Sequence, residues 1–412
     1  MPPMDELEQR VSRIVNSTPV RDIHTHLYDP SFRSLLLWGI DEQLVYHYLV
    51  SESFRQMPCS YDAFWSASVS TQAEWIWKAL FLENSPISEA CRGVLTTLQA
   101  LGLDPRKQDL PALRRWFADQ DPDDFVDRVL SLAHVGSVCM TNSPFDALEM
   151  PYWQKQPRRD PRFKAALRID PLLLAWPQTS KQLGEAGYAV GHGRTEATAL
   201  EVRRFLRDWT LRIQSGYCMV SLPPSFRYPD DSDTTWLLEN AVLPHCREMN
   251  QPLALMMGVQ RAVNPRLKMA GDGVGWSDLK ALQNLCSGYT DNKFLVTCLA
   301  RENQHELVVL ARKFRNLHPF GCWWFTNTPQ LIQEITTLRL ELLGTSFTPQ
   351  HSDARVIDQL IYKWRHSRQV LTRCLTEKYA ALEQSGWSVT DSEIQRDVQD
   401  LLGGAFERFC QS

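Results

Sequence analysis

The chain has 412 residues, 43% of them apolar, 22% charged and 10% aromatic, which gives it the apolar mass for a large globular core and excludes a disordered, collagen-like or coiled-coil protein. Lys and Arg number 44 against 48 Asp and Glu, a formal charge of −4, so the basic footprint of a general nucleic-acid binder is missing. No run approaches the ~18 apolar residues needed to span a bilayer. Residues 1–19 are charged and amphipathic rather than a secretory leader. The ten cysteines, from Cys59 to Cys410, form no C-x-x-C pair and mostly sit in apolar runs such as those around Cys139, Cys218 and Cys298. They read as reduced, packed thiols of a cytoplasmic protein that has neither nucleic acid nor membrane as a partner.

Taken in chain order, short apolar segments alternate with helical patterns. The segment 20–23 runs into His24-Thr25-His26, and further strands are expected at 136–140, 163–169, 217–222, 252–258, 294–299, 317–323 and 343–347. Amphipathic helices are expected between them at 195–213, 236–249, 276–285, 304–314 and 329–342. Eight such alternations, with strands apolar along their whole length, predict an α/β fold. The specific expectation is a (β/α)8 TIM-type barrel over residues 1–412, a parallel sheet buried on both faces with its chemistry on the loops after the strands. The interval 27–133 breaks the rhythm. It is far longer than an ordinary loop, rich in Trp and Phe, and patterned as helices at 41–50, 72–82, 87–101, 110–118 and 122–132. It reads as a helical insertion capping the barrel mouth, since no Gly/Ser/Pro linker brackets it. The stretch Gly271-Asp-Gly273-Val-Gly275 matches no phosphate-binding motif and reads as a mobile loop beyond the fifth strand. A helix is expected over 352–375, and Thr390-Asp-Ser-Glu393 is a capping box opening a last helix that Gly403-Gly404 would end.

Four groups can carry chemistry. In a strand, residues i and i+2 face the same side, so His24 and His26 can share one metal ion. Asp353, in Ser352-Asp353-Ala354-Arg355, follows the last strand, where a closed barrel returns to its first. It would complete a set of two imidazoles and one carboxylate with an open position. The competing reading is a helix start capped by Ser352 with Asp353 in its first turn. Arg168, in Arg168-Ile169-Asp170-Pro171, ends the third strand. With Arg355 opposite it can grip a carboxylate through parallel hydrogen bonds, which points to an anionic substrate. An internal ion pair of Arg168 with Asp170 or Asp146 is the alternative. His47-Tyr48 can serve as a proton shuttle, although a lone His-Tyr on an amphipathic helix is more often packing. Trp323-Trp324-Phe325 forms an aromatic wall in which Trp323 packs in the core or stacks on substrate. The expected strand ends at Ser221-Leu222-Pro223, Met256-Met257-Gly258 and Cys298-Leu299 offer no hard-metal ligand, so one metal is expected, not two.

The first-strand H-x-H, the long helical insertion with His47-Tyr48, the Arg168-x-Asp170 step and Ser352-Asp353-Ala354-Arg355 together resemble the uronate isomerase (glucuronate isomerase) family of the amidohydrolase superfamily. Phe320-Gly-Cys-Trp-Trp-Phe325, the run 258–275 with Arg261 and Asn264, and Tyr362-Lys-Trp-Arg-His366 look like it too, and the resemblance spans most of the chain. The sequence departs from the family's usual pattern at Tyr46, where an Asp is customary, and after strands four and five.

The resemblance implies a barrel enzyme interconverting a hexuronic acid and its keto form, of the D-glucuronate/D-fructuronate type, through an enediol. It implies that His24, His26 and Asp353 hold one divalent metal, for which Zn2+ is expected. Asp353 or a cation-bound hydroxide would act as base with Tyr48 or His47 as relay, and Arg168, Arg355, Asp170 and Trp323 would bind the substrate. The alternative is a mononuclear metal-dependent hydrolase of the same superfamily acting on an acidic sugar lactone, ester or amide. The partner expected is a small anionic sugar, and the chain is expected to form a homo-oligomer.

Overall fold

A computed structural model describes residues 4–155, 159–191 and 193–412. Seven parallel strands make one sheet: β1 Val20–Thr25, β2 Val135–Asn142, β3 Phe163–Arg168, β4 Ser215–Leu222, β5 Leu253–Met257, β8 Phe294–Cys298 and β9 Leu317–Pro319, hydrogen-bonded in that order. The two-residue strands β6 Val259–Gln260 and β7 Gly273–Val274 form a separate antiparallel hairpin between β5 and β8.

Both faces of the parallel sheet are buried, which is why its strands are apolar at successive positions. Alternate residues go to different cores. Ala166, Tyr217, Met219, Ala254, Met256 and Leu295 meet in one buried cluster. Their neighbours Leu167, Cys218, Val220, Leu255 and Val296 join another with the surrounding helices. The sheet therefore curls around the first set.

The two edges of the curled sheet are joined by one irregular segment, 348–354. At the β9 side Gly321 N donates to Thr348 O at 2.8 Å and Thr348 N to Pro319 O at 3.1 Å. At the β1 side Asp353 N donates to His24 O at 3.2 Å and His26 N to Ala354 O at 2.8 Å. The expected strand at 343–347 is thus displaced. The helix Pro329–Leu343 runs to Gly344, whose φ of +62° turns the chain away. Pro349 has no N–H for a ladder and Asp353 sits at φ +51°, so the segment bonds both edges without becoming a regular strand. The long C-terminal helix is likewise later than expected, at Gln359–Gln384. Asp353 is outside it, which removes the capped-helix reading of Ser352-Asp353.

The interval after β1 is helical throughout, with helices including Ile40–Leu44, His47–Ser53, Tyr61–Ser66, Val69–Trp77, Glu89–Ala100, Leu110–Ala118 and Pro122–Ala133. Their starts are chemically legible. Ser60, Ser68, Ser88, Asp109 and Asp121 each accept a backbone N–H two or three residues on. The single helix expected over 41–50 is broken at Tyr46, whose extended backbone separates Ile40–Leu44 from His47–Ser53.

The glycine-rich stretch 271–275 is not a free loop: Gly273–Val274 pairs with Val259–Gln260, and the segment between the two strands is tied to these helices. Trp65 Nε1 donates to Arg266 O at 2.8 Å, and Asn264 Nδ2 to Tyr61 Oη at 3.2 Å. The capping box at Thr390–Glu393 is present. Gly403, at φ +122°, marks a kink against Arg21 rather than an end, and the chain continues as a helix over Ala405–Gln411. All ten cysteines are free, eight of them buried. Among the described residues no helix is long and apolar enough to cross a membrane.

Candidate active site

The C-terminal end of β1 turns His24 and His26 toward Asp353 from the segment that joins the sheet edges. The His24 and His26 Nε2 atoms lie 3.5 and 3.2 Å from Asp353 Oδ1, and the three ligand atoms fall within 4.8 Å of one another. The His24 and Asp353 side chains are essentially inaccessible, while that of His26 is 17% exposed on the open side. Burial, reinforced by the Arg355 charge, pushes the His26 imidazole down to about 3, so it presents a neutral ring. Burial alone would raise Asp353, but the two imidazoles outweigh it and hold the carboxyl well below its ordinary range.

Among the described residues, His24 Nε2 and both carboxylate oxygens of Asp353 are buried without a hydrogen bond of proper geometry. Buried lone pairs converging with one negative charge leave a debt that a divalent cation settles. The donor set, two imidazoles and a carboxylate, fits such an ion.

Neighbouring residues lock this cluster. Asp22 Oδ1 accepts Ser352 N at 3.1 Å and its Oδ2 accepts Trp364 Nε1 at 2.9 Å, fastening the Asp353 segment to β1. His351, fully buried, stands edge-on to His24 with ring centroids 5.1 Å apart. Gly321 makes room for it: a Cβ there would lie 1.8 Å from His351 Nδ1, on a backbone at φ +69°. Gly321→Ala is therefore expected to destabilise the fold by about 3 kcal/mol through overpacking and left-handed strain. A lowered denaturant midpoint would show it, together with loss of metal uptake by the fraction that remains folded.

Beside the cluster a cleft of about 420 Å³ is lined by His26, Thr141, Glu149, Arg168, Asp170 and Arg355, among others. Arg168 ends β3 and makes a two-pronged ion pair with Asp170, at 3.1 and 2.9 Å. The pair leaves Arg168 Nη1 with no hydrogen-bonding partner among the described residues. Arg355 has no carboxylate within ion-pairing distance there either; its Nη1 rests on Met269 Sδ at 3.4 Å. Burial pushes Glu149 up to about 7, though Ser143 N, Asn142 Nδ2 and Trp153 Nε1 all donate to it.

His47 and Tyr48 come in from the broken helix. The His47 ring lies 5.4 Å from that of Trp324, and neither His47 Nε2 nor Tyr48 Oη has a hydrogen-bond partner among the described residues. Burial, with the Arg355 charge, pushes His47 down to about 3, and burial raises Tyr48 well above its ordinary value. A second cavity, about 200 Å³, lies between Tyr48, Trp324 and the buried Lys363. Burial lowers Lys363 against the pull of Asp353 and Asp22.

Of the residues singled out in the sequence, the structure brings His24, His26, Asp353, Arg168, Asp170 and Arg355 together, with His47 and Tyr48 within reach of the charges of Asp353 and Arg355. Trp323, 3% exposed, lines neither of these two cavities and packs in the cluster inside the curled sheet; its neighbour Trp324 belongs to the same cluster and also lines the smaller cavity. Asp22, Thr141, Tyr217, His351 and Lys363 were not singled out. For Asp22 the H-x-H pattern extended two residues back was the available signal.

One buried and one partly exposed imidazole and a carboxylate at the strand ends of a curled parallel sheet, flanked by two guanidinium groups, define an α/β enzyme with ligands for one divalent cation. A solved uronate isomerase from Bacillus halodurans C-125 is 50% identical, the match covering 100% of this chain and 97% of that one, with a TM-score of 0.98. The chain belongs to the uronate isomerase family. A uronate isomerase from Thermotoga maritima (15% identity, 99% of each chain, TM-score 0.79) and a glucuronate isomerase from Caulobacter crescentus (14%, 100% of this chain and 95% of that one, 0.81) share the fold. No protein-family model matches the chain, and a comparison with curated proteins finds no match.

Proposed function

We propose that the protein is a divalent-metal-dependent isomerase that interconverts a hexuronic acid and its keto form, of the D-glucuronate/D-fructuronate type. The observation that carries this reading is the shared cleft: His26 of the ligand cluster and the guanidinium groups of Arg168 and Arg355 line the same space. Full-length likeness to a uronate isomerase at 50% identity supports it. Zn2+ is the ion we assign to His24, His26 and Asp353. We also read the sheet and the segment 348–354 as a (β/α)8 barrel with an irregular eighth position, capped by residues 27–133. Ten unpaired thiols support a cytoplasmic location.

Converting the aldose to the ketose moves one proton from C2 to C1 and a second from O2 to O1. Arg168 and Arg355 hold the uronate carboxylate and so fix C1 and C2 against the cluster. Asp353, kept ionised, is the base that takes the C2 proton and returns it at C1. Tyr48 keeps its proton and donates a hydrogen bond to the oxygen where negative charge develops. His47, neutral at working pH, relays the hydroxyl proton between O2 and O1. A bound cation supplies Lewis acidity that lowers the cost of charge on the substrate oxygens.

NMR of D-glucuronate incubated with the protein in D2O tests this. The expected result is a ketose signal that vanishes with a chelator and returns with Zn2+. No ketose from any hexuronate in a panel, with metal present, would overturn it.

A further inference from the structure

A neutral imidazole has one N–H and one lone pair. When Nε2 of His24 and of His26 turns its lone pair to a cation, each ring proton sits on Nδ1 and, in the fully buried His24 and the largely buried His26, calls for an acceptor. A hydroxyl from a neighbouring strand stands at each. Tyr217 Oη, from β4, lies 3.4 Å from His24 Nδ1, and Thr141 Oγ1, from β2, lies 2.9 Å from His26 Nδ1.

A hydroxyl that donated to Nδ1 would favour the opposite tautomer. Both are given another outlet for their one proton. Tyr217 Oη donates to the Ile23 carbonyl at 2.7 Å, and Thr141 Oγ1 to the Thr25 carbonyl at 3.0 Å. In each case that carbonyl belongs to the residue just before the histidine served. The same arrangement thus occurs twice, from different strands and with different residue types. The Tyr217 ring is itself braced from the far end of the sheet by Phe406, edge-on at 6.0 Å.

We propose that Tyr217 and Thr141 are positioning residues: their hydroxyls fix His24 and His26 with the proton on Nδ1 and thereby set the affinity of the cluster for its cation. The inference rests on the metal reading above and not on the identity of the sugar. Outer partners of this kind orient ligating imidazoles and raise their basicity.

The test is the Zn2+ dissociation constant of chelator-stripped protein, measured without substrate by competition with a chromophoric chelator. Tyr217→Phe and Thr141→Val are each expected to weaken binding about 10–100-fold, while Thr141→Ser, which keeps the hydroxyl, stays within about threefold of wild type. Should Tyr217→Phe fail to fold, judged by its circular dichroism, the Thr141 pair decides. Affinities unchanged in the Phe and Val variants, or Ser as weak as Val, would overturn the proposal while leaving the metal site standing. A wild-type protein that takes up no Zn2+ would overturn the metal reading and this inference with it.

Discussion

Replacing Asp353 by Asn is expected to lower kcat/KM for hexuronate isomerisation by about 10³-fold or more, the range lost with a positioned general base. The change keeps the shape of the side chain and removes two things at once. The cluster loses its only negative charge, so two imidazoles are left to hold a cation alone. The carboxylate that the imidazoles keep ionised is no longer there to take the C2 proton. Steady-state rates with saturating Zn2+ separate the two losses. If excess metal restores bound metal but not turnover, the proton role is what was lost; full recovery of turnover would show that Asp353 serves only as a ligand.

Arg168→Met is expected to cost about 100-fold in kcat/KM for uronates, from losing a charge-assisted hydrogen bond of about 1.5–3 kcal/mol. Asp170 makes the loss larger than one contact. In the native cleft its two oxygens are held by Arg168, at 2.9 and 3.1 Å. Without that partner a bare carboxylate faces the cleft and repels an anionic substrate. Arg168→Met combined with Asp170→Asn is therefore expected to recover part of the loss. Arg355→Met, which strands no carboxylate, is expected to do less damage than Arg168→Met. Unchanged kcat/KM for uronates in Arg168→Met would remove Arg168 from the carboxylate site.

The residues that were legible in the sequence are those whose role follows from short-range spacing. His24 and His26 are two apart on a strand, and Arg168 ends one, so periodicity alone placed them at a lip. Asp353 was legible only through the expectation that the last sheet position returns to the first. Asp353 stands beside β1 although the expected strand at 343–347 is not formed: Gly344 turns the chain, Pro349 interrupts pairing, and the irregular segment delivers Asp353 to β1. Trp323 and Trp324 show the limit of pattern at the site: both pack in the buried cluster, Trp324 at the start of a short 3-10 helix, and no strand parity tells that Trp324 also lines the cavity.

The supporting residues were illegible for a different reason. Thr141 and Tyr217 acquire their place from the pairing of β2 with β1 and from the curl that carries β4 across to His24. No local pattern in Met140-Thr141-Asn142 or Gly216-Tyr217-Cys218 announces either contact. His351 is explained only by the hole left at Gly321, thirty residues earlier.

The most direct measurement is a titration of chelator-stripped protein with Zn2+ while ketose formation from D-glucuronate is followed. Activity is predicted to rise in proportion to added metal and to break at one equivalent per chain, with no break in a His24→Ala, His26→Ala variant. Full turnover by stripped protein, or a requirement for a second equivalent, would contradict a single cation held by His24, His26 and Asp353.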